Sequence, residues 1–100
     1  MTTYFVSRHP GALEWAARQK LTIDKVVPHL EPAQVQPGDT VIGSLPVNLA
    51  AQVCEAGAAY WHLSLELPAG LRGQELTADD LTRLGARIEP FLITPEKSHP

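Results

Sequence analysis

PGDTVIGSLPVNLAAQVCEAG, Pro37 to Gly57, is the stretch whose reading decides the fold. Pro37-Gly38-Asp39 is turn chemistry, Thr40-Val41-Ile42 is a short β-branched run, and Gly43-Ser44-Leu45-Pro46 ends the strand before a helical pattern begins. Pro46 suits the first helical turn, where its missing N–H has no partner to lose, and Gly57 suits a left-handed cap at the far end. Leu49, Ala50, Val53 and Cys54 fall on one helical face, with Asn48, Gln52 and Glu55 turned away from its centre. In an open α/β sheet such a junction lies at the carboxyl end of a strand, where backbone amides and a helix N-terminus receive phosphate. This junction is a candidate ligand site.

Upstream, Thr2 to Val6 is rich in strand formers and too short for a helix, so it reads as the first strand, central in the sheet. Ser7-Arg8-His9-Pro10-Gly11 follows as a second strand-to-helix junction, leading into a helix over Gly11 to Leu21 with Glu14, Arg18, Gln19 and Lys20 on its wet side. Its plain reading is a helix cap beside a solvated arginine. The functional reading is that two such loops, on neighbouring parallel strands, open on the same sheet edge. Asp24 to Leu30 reads as an edge strand, because Pro28 cannot donate to a ladder. Glu31 to Gly38, with two prolines, is too short for a helical crossover.

Downstream, Ala58 to Leu67 alternates: Trp61, Leu63, Leu65 and Leu67 on one side, Tyr60, His62, Ser64 and Glu66 on the other. A strand with one polar face belongs at an edge, or has that face against a second subunit or a ligand. His62 is then either a proton-active group or a satisfied strand histidine. Arg72, in the loop Pro68 to Gly73, either closes over an anion or is solvated. Thr77-Ala78-Asp79-Asp80 opens a last helix with apolar positions at Leu81, Leu84 and Ile88, and Glu89 to Thr94 reads as the final strand. The expectation is one α/β domain over residues 1–94, with a mostly parallel sheet flanked by about three helices, and a frayed tail over residues 95–100.

Composition narrows the chemistry. One hundred residues with 44% apolar content suffice for one core. A net charge of −3 argues against a general DNA or RNA coat protein, while leaving room for a small anion held by a few local cations. A single cysteine forms no internal disulfide, no apolar run reaches the roughly 20 residues of a membrane span, and the start of the chain lacks a signal-peptide pattern, so a cytoplasmic, reducing location is expected. The phosphate-binding, dinucleotide and acyl-hydrolase glycine motifs are missing. His9, His29, His62 and His99 are dispersed without ligand spacing, so no metal cofactor is expected, and Cys54 reads as a buried structural thiol. What remains is Ser7, Arg8 and His9 at one loop, and Ser44 and Asn48 at the other. Arginine offers phosphate a planar fork, and serine or asparagine orients sugar hydroxyls. If the ligand carries a 2′-hydroxyl beside a phosphodiester, alignment, charge neutralisation and proton movement are all that cleavage demands.

The segments TYFVSRHPGALEWA and GDTVIGSLPVNLAAQVCEAGAAYWHLSLELP resemble the sixteenth numbered family of the CRISPR-associated Csx series, small stand-alone proteins of type III systems. The similarity runs from Met1 to about Phe91, with SRHPG and GSLPVNLA as its most specific parts. It implies a Rossmann-like fold related to the CRISPR-associated nucleotide-sensing (CARF) domains. It further implies a homodimer that acts on cyclic tetra-adenylate as a ring nuclease, cutting that messenger to linear products and switching off the antiviral response. The resemblance places SRHPG and GSLPVN at the ligand loops. On the chemistry of the residues there, Arg8 and His9 are the candidate catalytic residues, for phosphate charge and proton transfer, with Ser7, Arg8, Ser44, Leu45 and Asn48 binding the ring. The competing expectations are a module that binds cyclic oligoadenylate without cutting it, and a structural partner of a CRISPR complex.

Overall fold

The computed structural model describes residues 1–71 and 73–96. Arg72 and the end of the tail, both subjects of expectations above, lie outside the described residues. Along the chain run β1 (Thr3–Val6), α1 (Pro10–Arg18), β2 (Lys25–Val27), a single 3-10 turn (Pro32–Gln34), β3 (Thr40–Gly43), α2 (Val47–Glu55), β4 (Ala59–Ser64), a second 3-10 turn (Ala69–Leu71), α3 (Ala78–Arg83) and β5 (Arg87–Phe91). Among the described residues the strands form one sheet in the order β2-β1-β3-β4-β5. β1 pairs in parallel with both β2 and β3, and β3 pairs in parallel with β4. β5 closes the far edge antiparallel to β4. The order reverses between β1 and β3: β1 feeds outward to β2 through α1, and β3 feeds the other way to β4 through α2. This is the switch point of a doubly wound, Rossmann-like sheet.

Alternation along the strands builds two cores, one on each face. Phe5, Ile42 and Leu63 point to one face and pack with Ala12, Trp15 and Ala16 of α1 and with Ala78 and Leu81 of α3. Tyr4, Val41 and Tyr60 point to the other and pack with Ala50 and Val53 of α2 and with Val35. Phe5 and Val41 are fully buried, each such side chain stabilising the fold by roughly 1.5–3 kcal/mol. Gly11 lets α1 approach the chain entering α3, since a Cβ there would sit 1.9 Å from the Leu76 carbonyl oxygen.

Most of the punctuation acts as its chemistry dictates. Gly57 has φ +85, the left-handed value expected after a helix C-cap. β2 is an edge strand ending before Pro28, and the stretch after it holds only a 3-10 turn. Thr77 caps α3 in a reciprocal capping box with Asp80. Pro46, in contrast, occupies the N-cap of α2 rather than its first turn, with extended backbone at ψ 148. The packed side of α2 is centred on Ala50, Ala51 and Val53, with Leu49 and Cys54 half-buried at its flanks. The Cys54 sulfur there accepts from the Ile93 N–H at 3.4 Å, tying α2 to the chain beyond β5.

Other expectations change as well: α1 ends at Arg18, short of Leu21, and Cys54 is half-buried rather than buried. β4 lies inside the sheet, paired on both sides, and its supposed polar face begins with Tyr60, which is 2% exposed. Tyrosine reads as half-polar in an alternation but buries a large ring when its hydroxyl is satisfied. α3 ends at Arg83 because Gly85, at φ +75, turns the chain back. Ile88 therefore belongs to β5, opposite Leu63, and that strand runs from Arg87 to Phe91 instead of starting at Glu89.

Candidate functional site

A cleft of about 530 Å³ opens at the carboxyl ends of the parallel strands, on the face that carries α1 and α3. The loop after β1 contributes Ser7, Arg8 and His9, and the loop after β3 contributes Ser44, Leu45 and Pro46. These are the two strand-to-helix junctions, brought together because β1 and β3 are neighbours at the switch point. Gly43 permits the contact: it is paired with Val6, and a Cβ there would sit 2.8 Å from the Val6 carbonyl oxygen. Asn48, in the first turn of α2, is exposed and is not part of the cleft wall.

The two loops are held by different means. Ser7 N–H donates to the Val27 carbonyl at 3.0 Å, fixing the first loop to the end of β2. His9 N–H donates to Ser7 Oγ at 3.1 Å, so the Ser7 hydroxyl keeps its own proton to donate. Ser44 is the reverse case: its hydroxyl donates to the Leu63 carbonyl at 2.9 Å, which leaves it an acceptor toward the cleft. Beneath this loop, Tyr60 Oη accepts from the Leu45 N–H at 3.0 Å and donates to the Gly43 carbonyl at 3.1 Å. His62 Nδ1 lies 2.6 Å from the same oxygen, a contact that is satisfied when Nδ1 carries the proton. Burial pushes the Tyr60 phenol above its ordinary pKa, partly offset by the Leu45 N–H. His62 thus supports the loop from behind and stands outside the cleft wall.

His9 occupies the N-cap of α1, yet its side chain makes no capping bond. Its Nδ1 lies 3.4 Å from Glu75 Oε1, an exposed pair that orients the ring more than it stabilises the fold. Pro46, at the N-cap of α2, likewise supplies no side-chain cap. Both nine-residue helices therefore present uncapped N-termini at the cleft, with the positive ends of their dipoles. The floor is apolar: Leu49, Leu63, Leu65, Leu67, Leu76 and Leu81 line it. A leucine floor under a cationic rim suits an amphipathic anion, one with flat apolar parts as well as negative charge.

The family described as "Putative CRISPR-associated protein (Cas_VVA1548)" matches residues 4–94. The chain belongs to this CRISPR-associated family. The match covers all five strands apart from Thr3 at the start of β1, both junctions and the cleft-lining residues. No curated protein and no solved structure matches the chain.

In this member of the CRISPR-associated family the cleft also draws on residues that the motifs passed over. Pro28 and His29, from the loop after β2, form part of the rim, and Gln74 lies on the wall near α3. Among the described residues, neither Arg8 nor His29 has a side-chain partner. A signal for His29 was present: a third parallel strand must deliver its carboxyl end to the same sheet edge. No helix among the described residues is long and apolar enough to cross a membrane.

Proposed function

We propose that this protein is a metal-independent ring nuclease of the sixteenth Csx family, acting on cyclic tetra-adenylate in the cytoplasm to end type III CRISPR signalling. The observation that carries the reading is the meeting of Ser7, Arg8 and His9 with Ser44 and Leu45 at one switch-point cleft, in a chain of a CRISPR-associated family. Arg8 and the two helix N-termini favour phosphate at the rim, and the leucine floor suits adenine rings. Ser7, with a proton to give, matches a phosphate oxygen; Ser44, with only lone pairs to offer, matches a ribose hydroxyl.

In the proposed reaction the ribose 2′-oxygen attacks its adjacent phosphorus in line, the 5′-oxygen leaves, and the product is linear with a 2′,3′-cyclic phosphate. Arg8 stabilises the charge that builds on the phosphoryl oxygens. His9, oriented by Glu75, takes the 2′-hydroxyl proton, since histidine changes charge near neutral pH. Leu45 contacts the ring from the β3 loop, and Asn48, outside the cleft of one subunit, reaches the ligand only as it extends beyond that subunit.

The active species in this reading is a C2 homodimer, because equivalent loops from two subunits match a ring of repeated nucleotides. Phe91 and Leu92, 48% and 82% exposed at the end of β5, supply apolar surface for such a contact. Light scattering at working concentration tests the dimer, and a monomer both with and without ligand removes it. The reaction itself is tested by incubating the protein with cyclic tetra-adenylate in EDTA and resolving the products by chromatography. An intact ring after prolonged incubation with excess protein sinks the proposal.

A further inference from the structure

We propose that His29, on the loop leaving edge strand β2, is the general acid of the cleft, protonating the 5′-oxygen as it leaves phosphorus. The inference rests on the ring-nuclease reading and adds to it the second proton transfer that the reaction requires. In an in-line displacement the attacking and leaving oxygens lie on opposite sides of phosphorus, so one imidazole cannot attend both at once. The cleft rim presents a second one. β1 and β2 run in parallel with Val6 beside Val27, so His9 and His29 emerge from adjacent strands, three and two residues beyond that pair. The Ser7 N–H bond to the Val27 carbonyl fastens the two loops together at their base. Pro28 restricts the backbone immediately before His29, and Pro28, His29 and Leu30 all border the cleft.

The two rings differ in what orients them. Glu75 lies on the Nδ1 side of His9, which leaves Nε2 as the nitrogen turned away from the carboxylate and suited to accept a proton. Among the described residues no carboxylate pairs with His29. The step balances as follows. The 2′-oxygen to phosphorus bond forms and the phosphorus to 5′-oxygen bond breaks; the 2′-hydroxyl proton passes to His9, and a proton from His29 passes to the departing 5′-oxygen. No water is consumed and no electron is transferred.

The test compares cyclic tetra-adenylate with an analogue whose bridging 5′-oxygens are sulfur, since a thiolate leaves without protonation. His29→Ala, and His29→Gln as a second variant, should slow single-turnover cleavage of the oxygen ring by roughly 10²-fold while cutting the sulfur ring at the wild-type rate. His9→Ala should slow both. Wild-type cleavage of the oxygen ring by both His29 variants, or an equal loss on both rings, overturns the assignment and leaves the nuclease reading standing. An oxygen ring that the wild-type protein leaves intact overturns the nuclease reading, and the acid role with it.

Discussion

Tyr60 Oη lies 3.0 Å from the Leu45 nitrogen, so a side chain buried under α2 holds the backbone of a loop on the cleft. The same oxygen donates to Gly43, which places both ends of the Gly43-Ser44-Leu45 turn on one anchor in β4. Tyr60→Phe keeps the ring and its packing but leaves the Leu45 N–H and the Gly43 carbonyl without that partner. It should lower unfolding stability in urea by about 1–3 kcal/mol, and it should reduce ring cleavage by loosening the loop. An unchanged denaturation midpoint would mean that the hydroxyl is not the anchor.

Asp39 performs a comparable task at the other end of the sheet. It is buried, and its carboxylate accepts from the backbone N–H groups of Gln36 and Thr2, each at 2.9 Å. These two bonds, Gln36 first, hold its pKa below the ordinary carboxylate value. Because the folded value is the depressed one, this stabilisation is complete above the unfolded value of about 3.9 and is lost as pH falls through the folded value. Asp80, depressed by the capping box and by Arg83, has the same sign. Asp39→Asn should therefore lower the melting temperature at neutral pH by several degrees and make the loss of stability below about pH 4 shallower. An acid profile identical to wild type would contradict this role.

Gly11 offers a test of the packing between α1 and the chain entering α3. Gly11→Ala drives a methyl group into the Leu76 backbone and should sharply reduce the yield of folded protein. Gly70→Ala, where no atom lies within 4 Å of the new Cβ, should melt close to wild type. Equal melting of the two variants by circular dichroism would show that α1 can shift away at little cost.

Arg8 and His9 should separate in kinetics. Arg8→Ala removes phosphate binding and charge stabilisation, so affinity for the ring and the rate of cleavage should both fall. His9→Ala should retain binding and slow single-turnover cleavage by roughly 10²-fold or more. Full cleavage by a folded His9→Ala protein would remove histidine 9 from the mechanism and leave positioning by Arg8 and Ser44.

Local punctuation made much of the fold legible. Pro28 demanded an edge, Gly57 a left-handed residue and Thr77 a cap, and each signal is contained within a few neighbouring residues. Both junctions of the cleft were legible for the same reason, as strands ending in small or polar residues before a proline. Features that depend on strand order were not. Tyr60 looks like the start of a wet face until α2 is seen to pack over it, and Ile88 looks helical until Gly85 reverses the chain. Asn48 shares a motif with Ser44 yet lies outside the cleft, where its helix neighbour Leu49 forms the wall instead. His29 sits in no motif, and only the parallel pairing of β2 brings it to the rim.

The central claim is catalysis, and turnover measures it most directly. Cyclic tetra-adenylate in large molar excess over the protein, in EDTA, should be converted over many turnovers to linear products ending in 2′,3′-cyclic phosphate. Recovery of intact ring from a stoichiometric complex, with no linear product, would contradict the claim and make the cleft a binding site alone.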